Sequence, residues 1–180
     1  MSIPKNSIVI VVGTNRPNSM SCKVALYYQK VLNDKGFKGE VLDLRELPND
    51  FTVSALYENT GKNPAFNNLR YLLDKTDRFI FIIPEYNGSY PGVFKAFLDG
   101  LPYPNSFNGK KAALVGLSSN PQGAALALSH LNDVFSYLGM DTLSLRVKLG
   151  QINQNFNGTD ITNSLYKELV DLQVDQIIAF

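Results

Sequence analysis

The feature that most constrains this chain is the run Ile8-Val9-Ile10-Val11-Val12, which stops abruptly at Gly13-Thr14-Asn15-Arg16-Pro17-Asn18-Ser19-Met20-Ser21. An unbroken β-branched run favours a strand, and the absence of polar alternation implies that both faces are covered. Such a strand belongs in a parallel sheet between layers of helices. A helical pattern follows over residues 22–35, with Val24, Tyr28, Val31 and Leu32 at helical spacing. The polar turn therefore lies at the carboxyl end of a strand and the amino end of a helix. Free backbone N–H groups and the positive end of the helix dipole converge there, which favours an anion, above all a phosphate.

The remainder of the chain repeats this unit. Gly36 suits a left-handed helix cap, and residues 40–44 read as a second strand. The polar segment 49–64 is long for a connection and reads as a flap or an insertion. Phe66, Leu69 and Leu73 mark a helix, residues 78–83 a third strand, and residues 93–98 a short helix. A loop with Pro102, Pro104 and Gly109 leads to a fourth strand at 112–116. Ala124, Leu128, Leu131, Phe135 and Leu138 form the stripe of the next helix, followed by a fifth strand at 142–145. An Asn/Gly-rich loop at 150–158 precedes a last helix placed by Leu165, Leu169 and Leu172. Five strands alternating with helices predict right-handed crossovers and a doubly wound α/β sheet, one domain over residues 1–180. Polar loops follow strands one, three and four, so all three converge on the sheet edge where such folds bind ligands.

Charge narrows the functional classes. A net charge of +1 gives no electrostatic case for a nucleic acid or a membrane surface. No apolar run reaches the length of a membrane span, and residues 1–5 lack the apolar core of a secretory signal. One cysteine, Cys22, and one histidine, His130, preclude an internal disulfide and argue against a transition-metal site, as in a cytoplasmic protein.

In the first loop Gly13 permits a sharp turn and close backbone approach, Thr14, Ser19 and Ser21 offer hydroxyls, and Arg16 offers a forked cationic donor. The plainer alternative makes Ser19 a helix cap and Arg16 a solvated surface charge. Neither the nucleoside-triphosphatase pattern G-x-x-x-x-G-K-[ST] nor the dinucleotide pattern G-x-G-x-x-G occurs here. In the second loop Tyr86, Asn87, Ser89 and Tyr90 crowd a strand end, an arrangement suited either to a flat heteroaromatic ring or to a rigid turn over the core. Glu85 is a candidate base with no visible partner. Cys22 reads as a packed thiol, although the first turn of a helix can lower a thiol pKa. His130 reads as helix surface, and Tyr57 is a candidate cover for a ligand.

Gly13-Thr14-Asn15-Arg16-Pro17-Asn18-Ser19 resembles the G-S-x-R-x-x-S loop of the NAD(P)H-dependent FMN reductase family. Pro84-Glu85-Tyr86-Asn87-Gly88-Ser89 resembles that family's P-E-Y-N-x-S signature, with Pro91, Gly92 and Lys95 as its P-G-x-x-K continuation and Asp99 at its helix-ending Asp. The resemblance implies a flavodoxin-like fold: a doubly wound, five-stranded parallel sheet in the order 2-1-3-4-5 with helices on both faces. It implies that Thr14, Arg16, Ser19, Met20 and Ser21 hold the FMN phosphate. Pro84, Glu85, Tyr86, Asn87 and Gly88 would line the isoalloxazine, chiefly through backbone groups, with Ser118 near its other edge. It further implies hydride transfer from NADPH or NADH to FMN, then reduction of a quinone, azo compound, metal ion or free flavin, with no side chain acting as acid or base. A cytoplasmic homodimer or homotetramer is the implied state. Three positions depart from the family pattern: Thr14 for Ser, Gly100 where many members carry Trp, and Ser119-Asn120-Pro121 for a more Gly-rich run. Two other classes compete: a flavodoxin-type electron carrier, usually strongly acidic and so disfavoured by the charge, and a non-enzymatic scaffold for another phosphate ligand.

Overall fold

The computed structural model describes residues 7–102 and 106–180, so the readings at residues 1–5 and Pro104 lie outside it. At the centre, β1 (Ser7–Val12) pairs in parallel with β2 (Lys38–Asp43) on one side and β3 (Arg78–Pro84) on the other. Beyond β3 lies β4 (Lys111–Leu117), then β5 (Asp141–Thr142), giving the expected order β2-β1-β3-β4-β5. The unbroken apolar run of β1 follows from its two faces. Val9 and Val11 enter one core, whereas Ile8, Ile10 and Val12 enter the other.

The second of these cores is closed by α1 (Met20–Asp34), which buries Val24, Ala25, Tyr28 and Leu32. The opposite core is closed by α3 (Pro64–Asp74), α4 (Gly92–Asp99) and α5 (Ala125–Tyr137). Its centre is aromatic: Phe81 lies 4.6 Å from Phe135 between ring centroids and meets Phe94 and Phe107 edge-on. Segment 49–64 belongs to this core. Its short helix α2 (Phe51–Ser54) stacks Phe51 on Phe66 at 6.1 Å, and Ala55 and Leu56 are buried beside it. A Cβ on Gly100 would stand 2.6 Å from Phe66 Cζ, so the Phe66 ring fills the space a side chain would need there.

Two expectations are corrected at the far edge of the sheet. The fifth strand is interrupted: β5 and β6 (Val147–Leu149) each pair with β4, and residues 143–146 between them lie outside both strands. The last helix, α7 (Ser164–Ala179), buries Val170, Gln173, Val174 and Ile177, whereas Leu165 and Leu172 face solvent and Leu169 is half-buried. One residue lies at both places. The fully buried Gln173 donates from Nε2 to Leu114 O at 3.0 Å and to Leu145 O at 2.9 Å, and its Oε1 accepts from the Tyr28 hydroxyl at 2.9 Å. Its carboxamide supplies donors where the strand ladder is broken, which a buried carbonyl requires.

Candidate functional site

The chain leaves β1 toward β2 in one direction across the sheet and leaves β3 toward β4 in the other. The carboxyl ends of β1 and β3 therefore flank the switch point, where an open α/β sheet forms a crevice. A cleft of about 500 Å³ opens there, walled by the first, second and third polar loops. Of the residues singled out from the sequence, Thr14, Arg16, Ser19, Met20, Ser21, Pro84, Glu85, Tyr86 and Ser118 line it.

The first loop is shaped by contact with β3. Gly13 donates its N–H to Ile82 O at 2.9 Å, and a Cβ there would stand 2.6 Å from Ile83 Cδ1. Close approach, more than a sharp turn, requires the glycine. Asn18 takes the left-handed conformation (φ 52°), which Asn tolerates better than most residues, and this delivers Ser19 to the N-cap of α1. Ser19 Oγ accepts from Cys22 N at 3.2 Å, so the capping reading holds. The Met20 and Ser21 N–H groups remain the open donors of this helix end. No acidic residue occupies the first turn to compete for them. Ser21 lines the cleft, and its Oγ is buried with no hydrogen-bond partner among the described residues. A buried hydroxyl left so is costly unless a ligand satisfies it. Arg16 is exposed on the same wall, and its guanidinium makes no ion pair or hydrogen bond among the described residues.

The second loop is a two-residue hairpin. Tyr86 and Ser89 exchange backbone hydrogen bonds at 2.8 and 3.0 Å, and Asn87 (φ 52°) and Gly88 (φ 76°) supply the two positive φ values that Asn-Gly turns favour. Asn87 and Gly88 form the tip of this turn, beyond the lining of the cleft. Ser89 Oγ and His130 Nδ1 lie 3.0 Å apart, joining the hairpin to α5, and Tyr90 packs edge-on against Phe94. Tyr86 reaches the other way, its hydroxyl 3.0 Å from Thr14 Oγ1.

The third loop is tied to the second through Asn120, whose Nδ2 donates to Glu85 Oε2 at 3.2 Å. Ser118 Oγ donates back to Asn120 Oδ1 at 2.9 Å. A fourth wall was missed in the sequence. Ile152 and Asn153, from the short helix α6 (Ile152–Asn155), line the cleft, with Ile152 N donating to Ser118 O at 3.1 Å and Gln151 N to Asn120 O at 2.8 Å. The available signal was positional: this Asn/Gly-rich loop follows the outer strand, so it ends on the same sheet edge as the other three. Tyr57 is 77% exposed and does not line the cleft.

Cys22 lies one residue beyond the cleft lining, half-buried, with Arg45 Nη2 donating to its Sγ at 3.6 Å. Burial first, then the charge of Asp43, pushes its thiol pKa up, and Arg45 only partly opposes this. The folded protein is therefore expected to react with iodoacetamide more slowly than its unfolded chain at neutral pH. Its alkylation rate should keep rising beyond pH 9. A rate that levels off near neutrality contradicts this environment.

Sheet order, switch-point cleft and an anion-ready helix end together define a flavodoxin-like α/β protein. The chain belongs to the NADPH-dependent FMN reductase family, whose profile matches residues 6–154. It is 29% identical over 168 residues to a 2-hydroxy-1,4-benzoquinone reductase of Burkholderia sp., covering 90% of this chain and 89% of that one. To an FMN-dependent NADPH-azoreductase of Staphylococcus saprophyticus it is 29% identical over 187 residues, covering 96% and 93%. Among solved structures, a flavoenzyme NAD(P)H:(acceptor) oxidoreductase from Paracoccus denitrificans superposes with a TM-score of 0.78 at 26% identity, covering 97% of this chain and 96% of that one. Among the described residues no helix is long and apolar enough to cross a membrane.

Proposed function

We propose that this protein is a cytoplasmic FMN-dependent oxidoreductase that uses NADPH or NADH to reduce a small-molecule acceptor such as a quinone, azo compound, metal ion or free flavin. The observation that carries the reading is the buried Ser21 hydroxyl, without a partner among the described residues, at a helix end with no acidic residue in its first turn, in the cleft that Arg16 also lines. That donor set fits a phosphomonoester: a cation, a hydroxyl and backbone N–H groups from residues lining one cleft. Thr14, Arg16, Ser19, Met20 and Ser21 would hold the phosphate, and Ser118 would face the far edge of the ring. Pro84, Glu85, Tyr86, Asn87 and Gly88 would border the ring system, the last two by way of the hairpin tip. When bound, FMN supplies the redox chemistry, taking a hydride from reduced nicotinamide and passing electrons to the acceptor. The protein's part is to bind and orient. No acid–base pair is required of the side chains, and Glu85 is engaged with Asn120. The family and the activities for which the relatives are named support this reading.

Protein reconstituted with FMN and freed of excess by gel filtration is expected to be yellow, and anaerobic NADPH or NADH should bleach the visible flavin band. Retained flavin that stays oxidised under excess of both nicotinamides would indicate an electron carrier. Failure to retain flavin would indicate a scaffold for a different ligand.

A further inference from the structure

We infer that Tyr86, a residue of the ring-side hairpin, is a positioning residue for the phosphate site, acting through the Thr14 hydroxyl. The inference rests on the FMN reading above. A threonine hydroxyl carries one proton to donate and two lone pairs to accept with. In this structure Arg16 N donates to Thr14 Oγ1 at 3.2 Å, which fills one lone pair. The Tyr86 hydroxyl lies 3.0 Å from the same oxygen, and that contact can run in either direction. Only one direction suits an anion. If Thr14 donated to Tyr86, its remaining lone pair would face the cleft and repel a phosphate oxygen. If Tyr86 donates, both lone pairs are filled and the Thr14 proton is the valence left for the ligand. A phenol is also the more acidic hydroxyl of the two and hence the better donor, and donation in series strengthens each bond in the chain. Thr14 is 1% exposed yet lines the cleft, so its hydroxyl is shielded from bulk solvent except on that side. Its β-branch restricts χ1, which gives a physical use to the methyl that distinguishes Thr14 from the family's Ser. The phosphate loop and the ring-side hairpin are thus joined by a directed pair of hydroxyls.

The test compares FMN with riboflavin, which has the same ring and no phosphate, by fluorescence titration of the apoprotein. Wild type should prefer FMN strongly. Tyr86→Phe should lose about five-fold or more in FMN affinity, the scale of one hydrogen bond, with riboflavin affinity unchanged. Thr14→Val should lose at least as much, and adding Tyr86→Phe to it should cost nothing further for FMN. Tyr86→Phe losing FMN and riboflavin affinity equally, or costing as much in the Thr14→Val background, overturns the inference and leaves the tyrosine a ring-packing residue. Equal wild-type affinity for the two flavins overturns the phosphate assignment itself, and this inference with it, so the two failures are told apart by wild type alone.

Discussion

Replacing Arg16 with alanine is expected to weaken FMN binding roughly 10- to 100-fold, the range of a lost charge-assisted hydrogen bond. Riboflavin affinity and thermal stability should not change. The reason is local. Arg16 is exposed, makes no ion pair or hydrogen bond among the described residues, and stands on the same wall as the α1 end and Ser21. Its removal costs the fold nothing and costs an anion the only cation lining the cleft among the described residues. Arg16→Lys should recover part of the loss, since an ammonium keeps the charge without the fork. The effect should also shrink as salt rises, because an exposed charge is screened. Unchanged mononucleotide affinity in Arg16→Ala would remove the basis for placing a phosphate there.

The largest effect on stability is expected far from the cleft. Gln173→Leu should lower unfolding free energy by about 3 kcal/mol, because it leaves the buried Tyr28 hydroxyl, the buried Leu114 carbonyl and the part-buried Leu145 carbonyl without their partner, at roughly 1–3 kcal/mol for each fully buried orphaned group. The measurement is the shift in urea midpoint at constant m-value. Tyr28→Phe added to Gln173→Leu should cost less than it does alone, since the phenol would already have lost its acceptor. The Tyr28 pKa lies well above the ordinary phenol value, principally because the group is buried. Its neutral form is favoured by the fold, so its contribution is present through the neutral range and lost only in strong alkali. An unmoved midpoint in Gln173→Leu would show that the broken ladder is satisfied by other means.

The same glutamine shows where the sequence could and could not be read. The β1 run, the stripe of α5 and the first two loops were legible because each obeys a single rule: two covered faces, a 3.6-residue period, or a strand end with turn formers. The α7 stripe was not. The buried face of that helix contains Gln173, which counts as polar in any periodicity, while Leu165 and Leu172 are apolar and exposed. What places Gln173 inside is a pair of carbonyls, one on β4 and one in the break between β5 and β6, and no local pattern reports them. The split outer strand was hidden for the same reason. Tyr86 and Thr14 were each singled out, yet their contact across 72 positions follows from β1 lying beside β3, so it had to be seen in three dimensions. Ile152 and Asn153 escaped because their loop has the composition of an ordinary connector and carries no residue that advertises chemistry.

The rim of the cleft is braced from segment to segment: hairpin to first loop through Tyr86, third loop to hairpin through Asn120, and α6 to third loop through Ile152 and Gln151. A change of acceptor preference by exchanging one loop with a relative therefore meets an architectural obstacle. A transplanted third loop lacking an equivalent of Asn120 would leave Glu85 without that partner, and the disturbance would spread to both neighbours. Diversification at this mouth should proceed by groups of compensating substitutions across several loops, not by the swapping of one segment at a time.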